Sequence, residues 1–307
     1  MEESWKLARK ENALRIRAEM IREIRRFFTE KDYLEVETPS RIPGPAPESH
    51  IDAIPSDGWF LHTSPELCMK RLLAAGYERI FQITRCFRSE ERGSLHIPEF
   101  TLLEWYRSGI DYQRMMEECE ELIVCVARSL GYGNTINYRG KEIDMRLPWS
   151  RISVKEAFRC YSSVSMEKAL ADDRFDEVMV HAIEPNLDGG KPVFLYDYPV
   201  ELGSLARVKE TDPEVAERFE LYMGGLELAN AFSELTDAAE QRARFEKEQQ
   251  NRGESGKALY PMPEKFLAEM PDMPESSGIA LGVDRLAMIF TDSASIDDVV
   301  AFTPESL

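Results

Sequence analysis

An α+β domain, an antiparallel sheet flanked by helices, is the fold class that this 307-residue sequence predicts. Two pairs of extended stretches carry that expectation. RIFQITRCFR (79–88) and PEFTLLEWYR (98–107) flank the turn SEERGSLHI, and RFELYMGG and LELANAFSEL turn near Gly224–Gly225. The third observation is an absence: neither GxGxxG nor GxxxxGK[ST] occurs, so the parallel nucleotide-binding folds lack their signature.

The elements follow in order. Residues 10–30 carry Leu14, Ala18, Ile21, Ile24 and Phe28 at three-to-four spacing, which predicts a helix with one apolar face. YLEVETP alternates as a short strand and stops at Pro39; RIPGPAPESH is a loop by its three prolines and glycine. WFLHTSPELCMKRLLAAG reads as strand then helix, with Thr63 and Glu66 at capping-box spacing and Gly76 at the stop. Asp111 opens a helix that Gly131 ends. Residues 134–190, with short helices near 153–159 and 173–183, read as an insertion between core strands. KPVFLYDYP is a buried strand, DAAEQRARFEKEQQNRG an exposed charged helix, and SGIALGVDRLAMIF a small-residue strand running into an apolar helix. The length suits one large domain or two small ones, no internal repeat occurs, and the expectation is one domain over 1–307.

Composition narrows the function. Lys plus Arg is 38 against 56 Asp plus Glu, a net charge of −18 that repels nucleic acid at long range. Five cysteines without a CxxC pair suit a reducing compartment, and the four histidines lack zinc-ligand spacing. No run of eighteen apolar residues and no apolar leader is present, so the expectation is a cytoplasmic protein with no membrane partner.

The chemistry concentrates in FRSEERGSLHIPEFTLLEWY. On an extended strand Phe100, Leu102, Glu104 and Tyr106 share one face. A ring such as Phe100 can stack a nucleobase, worth roughly 1–3 kcal/mol. Arg88 can fork onto a phosphate, and Arg92 and His96 can meet outer phosphates. Alone, this segment reads as a hairpin with an ordinary ion pair; three others change that. TSPE puts Glu66 at a helix start, where capping explains it as well as a ligand role does. ELANAFSEL puts Asn230, Phe232 and Glu234 on one strand face and Glu227, Ala229 and Ala231 on the other, the alanines leaving space. Buried carboxylates at 66, 104 and 234 call for ammonium groups. Glu220 and Glu227 suit a hard cation such as Mg²⁺. GVDRL places Arg285 in a helix first turn, a position that favours anions, with a surface salt bridge as the plain alternative.

These residues carry a resemblance. Residues 23–39, FRSE…HIPEFTLLE and GIALGVDRL resemble motifs 1, 2 and 3 of class II aminoacyl-tRNA synthetases, in the family's order. TSPELCMKRLL, FLYDYPVELGSLAR and ELANAFSEL are similar to the lysyl-tRNA synthetase subgroup. Two departures refine it. Motif 1 begins so early that no N-terminal OB anticodon-binding domain is expected, and Ala280 stands where that subgroup usually has glycine. The chain therefore resembles the elongation factor P–(R)-β-lysine ligase family.

The resemblance implies the class II synthetase catalytic core, ATP as substrate with Mg²⁺, a homodimer joined at motif 1, and elongation factor P as acceptor of β-lysine or lysine, with tRNA disfavoured. It implies that Arg88 contacts the α-phosphate and substrate carboxylate, Phe100 stacks on adenine and His96 meets the outer phosphates. Glu90 is expected near adenine or the reacting groups, Arg285 on the γ-phosphate beside Gly282, and Glu220 and Glu227 on Mg²⁺. Glu66, Glu104, Tyr106, Asn230, Glu234 and Ala280 form the amino-acid pocket. Arg88 and Arg285 are then the catalytic pair, acting by positioning and charge neutralisation. The alternatives are a truncated lysyl-tRNA synthetase-like enzyme charging tRNA, an ammonia-using asparagine-synthetase-like ligase, for which the acidic wall has the wrong sign, and a non-catalytic amino-acid sensor.

Overall fold

A computed structural model describes residues 2–187 and 189–307; Met1 and Asp188, included in the single-domain and insertion readings, lie outside the described residues. Nine strands make the main sheet: β1 (Leu34–Glu35), β2 (Arg79–Phe87), β3 (Glu99–Ser108), β4 (Ser150–Ser153), β5 (Val193–Pro199), β6 (Val208–Lys209), β7 (Asp212–Met223), β8 (Leu226–Ser233) and β9 (Ser276–Gly282). Their order is β1-β2-β3-β9-β8-β7-β5-β4, with β6 paired to β7. Pairing is antiparallel except at the two rims, β1 with β2 and β5 with β4.

The two faces of the sheet differ because strand side chains alternate. Leu103 and Trp105 of β3, Ala229 and Ala231 of β8, and Ile279 and Leu281 of β9 point into one apolar core. The helices Glu11–Glu30, Tyr112–Ser129 and Val283–Phe290 cover it. The opposite face carries Glu104, Tyr106, Asn230, Phe232, Gly278 and Ala280 over a cavity. Ala229 and Ala231 lie on the face opposite Asn230, as alternation predicts, and pack into the core there, with Ala229 also bordering the cavity. No helix among the described residues is long and apolar enough to cross a membrane.

Several local expectations are revised. Thr63 does not cap the Glu66–Ala74 helix; Ser64 does the local work, its Oγ accepting from Glu66 N at 2.9 Å. The segment after residue 134 is more than an insertion. It supplies rim strand β4, and its hairpin Thr135–Tyr138 with Lys141–Asp144 packs Ile136, Tyr138 and Ile143 into the main core. The apolar face of Glu11–Glu30 is filled by the chain's own sheet, with Met20, Ile24 and Phe28 fully buried. The charged helix Ala238–Glu254 is not exposed throughout. Arg252 is fully buried, donating to Glu48 O, Ile51 O, Ala258 O and Asp52 Oδ1.

Candidate active site

A cavity of about 730 Å³ lies over the middle strands, between them and the helices Glu66–Ala74 and Ala238–Glu254. Register sets its floor. Ala280 of β9 stands opposite Glu104 of β3 on one side and Asn230 of β8 on the other, and Asn230 stands opposite Glu220 of β7. Four neighbouring strands thus hold four of the expected residues in one row.

At one end the carboxylates converge. Ser64 donates to Glu104 Oε1 at 2.6 Å, and Tyr106 Oη donates to Glu104 Oε2 at 3.0 Å. Burial, then the charge of Glu66, pushes the Glu104 carboxyl up to about 8. Burial likewise pushes Glu234 up to about 8, although Lys70 pulls it down. Lys70 is the residue the sequence reading missed. Fully buried, its ammonium lies 2.6 Å from Glu66 and 2.5 Å from Glu234. Burial alone disfavours that charge, but the two carboxylates outweigh it and its pKa rises. One built-in cation against three carboxylates leaves room for a further cation at this end. Gly278 allows the packing: a Cβ there would meet the Tyr106 ring at 2.2 Å and Glu234 Oε1 at 2.4 Å.

At the other end the cationic groups gather. Arg88 lies 5.0 Å from the Phe100 ring, its Nε buried without a partner, and its nearest carboxylate is Glu91 at 3.7 Å. Arg285 donates to Glu227 O at 2.7 Å and lies 2.7 Å from His96 Nε2. A guanidinium has no acceptor, so that imidazole nitrogen accepts and is unprotonated. Burial, then the charge of Arg285, holds His96 below its usual value in agreement. Gly282 starts the helix that carries Arg285 and lines the same end.

Two expected residues fall elsewhere. Glu90 has a left-handed backbone (φ 63°) and points to solvent, and Glu91 takes the place beside Arg88. Arg92 is drawn away by Asp297 and Glu305, at 2.9 and 2.8 Å. Glu227, assigned by alternation to the face opposite Asn230, reaches the cavity because a β-bulge resets the parity. Leu221 pairs with Ala229 but Tyr222 with Glu227, leaving Leu228 as the extra residue.

Glu220 is held by the hydroxyls of Tyr198 and Tyr222 at 2.7 and 2.8 Å and by Arg218 at 2.7 Å. Arg218 Nε also donates to Asn230 Oδ1 at 3.2 Å, which fixes the amide's orientation. Burial, then the charge of Glu220, raises the Glu227 carboxyl, with Arg285 opposing. Two acids that repel one another on the cavity wall are a donor set that fits a hard cation completing its shell with phosphate oxygens. Among the described residues no three ligating side chains gather into a metal cluster of their own.

The family model of class II tRNA synthetases (D, K and N) matches residues 4–306. Among curated proteins, the chain is 40% identical to the elongation factor P–(R)-β-lysine ligase of Pectobacterium atrosepticum, over 98% of each chain. It is 39% identical to the protein of that name in Hamiltonella defensa (94% of each) and 40% identical to that of Proteus mirabilis (93% of each).

Proposed function

From the premise that the chain belongs to the class II tRNA synthetases (D, K and N), we propose that it activates (R)-β-lysine with ATP and transfers it to a lysine side chain of elongation factor P. One observation carries the reading. Three carboxylates with a single internal ammonium stand at one end of the cavity, and Arg88 and Arg285 stand at the other. That polarity suits a substrate with two amines facing a polyphosphate.

In this reading a substrate carboxylate oxygen attacks the α-phosphate in line and pyrophosphate leaves. Arg88 holds the α-phosphate and the carboxylate, Arg285 the γ-phosphate and His96 the outer phosphates, while Phe100 stacks on adenine and Gly282 borders the nucleotide. Glu66, Glu104, Tyr106, Asn230 and Glu234 bind the amino acid. Glu220 and Glu227 would hold Mg²⁺, which when bound offsets charge on the phosphate oxygens. Glu90 has no part in this assignment. The enzyme works in the cytoplasm as a homodimer. With the apolar face of Glu11–Glu30 already covered, the dimer rests on Trp5, Leu7 and Leu34, exposed on elements that adjoin that helix.

The test offers ATP, (R)-β-lysine and either elongation factor P or lysine tRNA. A mass increase on the factor is expected; charging of tRNA alone would favour the synthetase alternative, and pyrophosphate exchange with neither acceptor loaded would leave a sensor.

Ala280 sets the choice of amino acid. Its methyl lies in the row between Glu104 and Asn230. The α-amine of α-lysine crowds that methyl, whereas β-lysine carries its amine one carbon further along. A single methyl in a tight pocket discriminates by roughly 1–3 kcal/mol. Ala280→Gly is therefore expected to raise the ratio of kcat/KM for α-lysine over β-lysine about tenfold, read in pyrophosphate exchange. An unchanged ratio would move selectivity to Glu66 and Asn230.

A further inference from the structure

Building on the proposed acyl transfer, we infer that Glu48 is the general base of its second step, taking the proton from the acceptor amine that attacks the adenylate.

The loop carrying Glu48 is held in place from both sides. The buried guanidinium of Arg252 donates to Glu48 O at 2.7 Å and to Ile51 O at 2.9 Å. Glu248 accepts from Ser49 N at 2.8 Å, and Lys257 donates to Ser49 O at 2.8 Å. Gly44 packs against Pro261, where a Cβ would come within 3.0 Å. Every one of these contacts fixes the backbone or a neighbour and leaves the Glu48 carboxylate uncommitted.

Glu48 lines the cavity, and its carboxylate has no hydrogen bond or ion pair with any described residue. Other acids on this wall have partners: Glu66 and Glu234 pair with Lys70, Glu104 with Ser64 and Tyr106, Glu220 with Arg218, Glu227 with Arg285, and Glu91, more loosely at 3.7 Å, with Arg88. The charged groups that face Glu48 are Glu66 from the Glu66–Ala74 helix, Arg88 from the turn after β2, Arg218 from β7 and Glu248 from the Ala238–Glu254 helix. Glu48 thus shares the cavity wall with Arg88, assigned above to the α-phosphate, and with Glu66, assigned to the amino acid. The mixed anhydride joins those two ends.

A group that moves a proton at neutral pH works best with a pKa near 7. Burial, then the charge of Glu66, pushes Glu48 up to about 7, against the pull of Arg88 and Arg218. His96 is a poorer candidate, because its Nε2 is occupied by Arg285 at the phosphate end.

The step balances as follows. The acceptor lysine ammonium gives one proton to the Glu48 carboxylate. The freed amine nitrogen forms a bond to the carbonyl carbon of the adenylate. The bond from that carbon to the phosphate oxygen breaks, its electron pair leaves with AMP, and the second amine proton departs on the phosphate. The products are the amide and AMP, and Glu48 returns its proton to water.

The test is Glu48→Gln, which keeps size and polarity and disturbs no side-chain contact. Single-turnover transfer of preformed β-lysyl adenylate to elongation factor P is measured from pH 5.5 to 9 beside pyrophosphate exchange. Wild-type transfer is expected to rise with pH through an inflection near 7, since only the ionised carboxylate accepts a proton. In Glu48→Gln, transfer is expected to fall about 100-fold relative to exchange by the same variant, and the inflection to vanish. Glu48→Asp is expected to keep the inflection at a reduced rate. Wild-type-like transfer by Glu48→Gln, an inflection that persists in it, or transfer and exchange falling together would overturn the assignment; the last outcome would make Glu48 a substrate-binding residue. Failure of the wild type to modify elongation factor P would overturn the proposed function and the base with it, so the two failures are told apart by the wild-type lane.

Discussion

Arg88→Ala is expected to give a folded protein that no longer forms an adenylate. The side chain contributes little to stability: its ion pair to Glu91 is loose at 3.7 Å, and its buried Nε has no partner among the described residues. What it offers is a guanidinium over Phe100, which in the proposed reading is a preorganised donor set for the charge that develops on phosphate. Losing one such donor typically costs about 2.7–4 kcal/mol of transition-state stabilisation, a factor of 10²–10³; losing a whole guanidinium with its charge puts exchange at the floor of detection. The check pairs pyrophosphate exchange with a thermal melt. Normal exchange by the folded variant would remove Arg88 from the mechanism, and a collapsed melt would make it a structural residue.

Lys70→Met is expected to damage stability as severely as Arg88→Ala damages chemistry. Removing one partner of a buried charge pair typically costs about 3–5 kcal/mol, because the other charge is left without compensation. Here Glu66, Glu104 and Glu234 all lose their internal cation. The sign of the pH dependence follows from the direction of the shifts. Glu104 and Glu234 already titrate near 8 in the folded protein, above the ordinary value of 4.5, and losing Lys70 pushes them higher. Carboxylates raised on folding cost nothing while protonated in both states, and destabilise increasingly as pH climbs from the unfolded value through the folded one. The deficit is therefore expected to be small near pH 5 and largest above 8, and to shrink when saturating β-lysine supplies ammonium groups. Melts across pH 5–9, with and without the amino acid, check this; a deficit independent of pH would show that Lys70 acts by packing alone.

How much was legible before the structure depends on which interactions are local. The β2–β3 and β7–β8 pairs are readable because alternation and a turn suffice to define them, whereas the row of Glu104, Ala280 and Asn230 depends on β9 pairing with β3 and β8, which no local turn announces. Glu227 was placed on the wrong face because a one-residue bulge reverses parity and leaves no mark in composition. Lys70 was hidden for a different reason. Four residues after Glu66 on a helix, it looks like one more solvated ion pair, and only Glu234, brought in from a distant strand, shows it to be buried. Arg252 looked like part of a charged surface helix until its four acceptors were seen, all in segments that a helical pattern does not report. Arg92 and Glu90 lie turned away from the cavity because the conformation of the turn, rather than its residue types, decides which side chains face inward.

The bare backbone at Gly278 has a consequence for how this pocket can be remodelled. The space a side chain would need is already held by Tyr106 from one neighbouring strand and Glu234 from just past the end of the other. Any laboratory selection for shorter or longer substrates thus finds that position closed to single-step change, since a useful substitution requires altered partners at 106 and 234 in the same molecule. A combinatorial library that varies 106, 234 and 278 together therefore samples shapes that stepwise mutation at 278 does not reach.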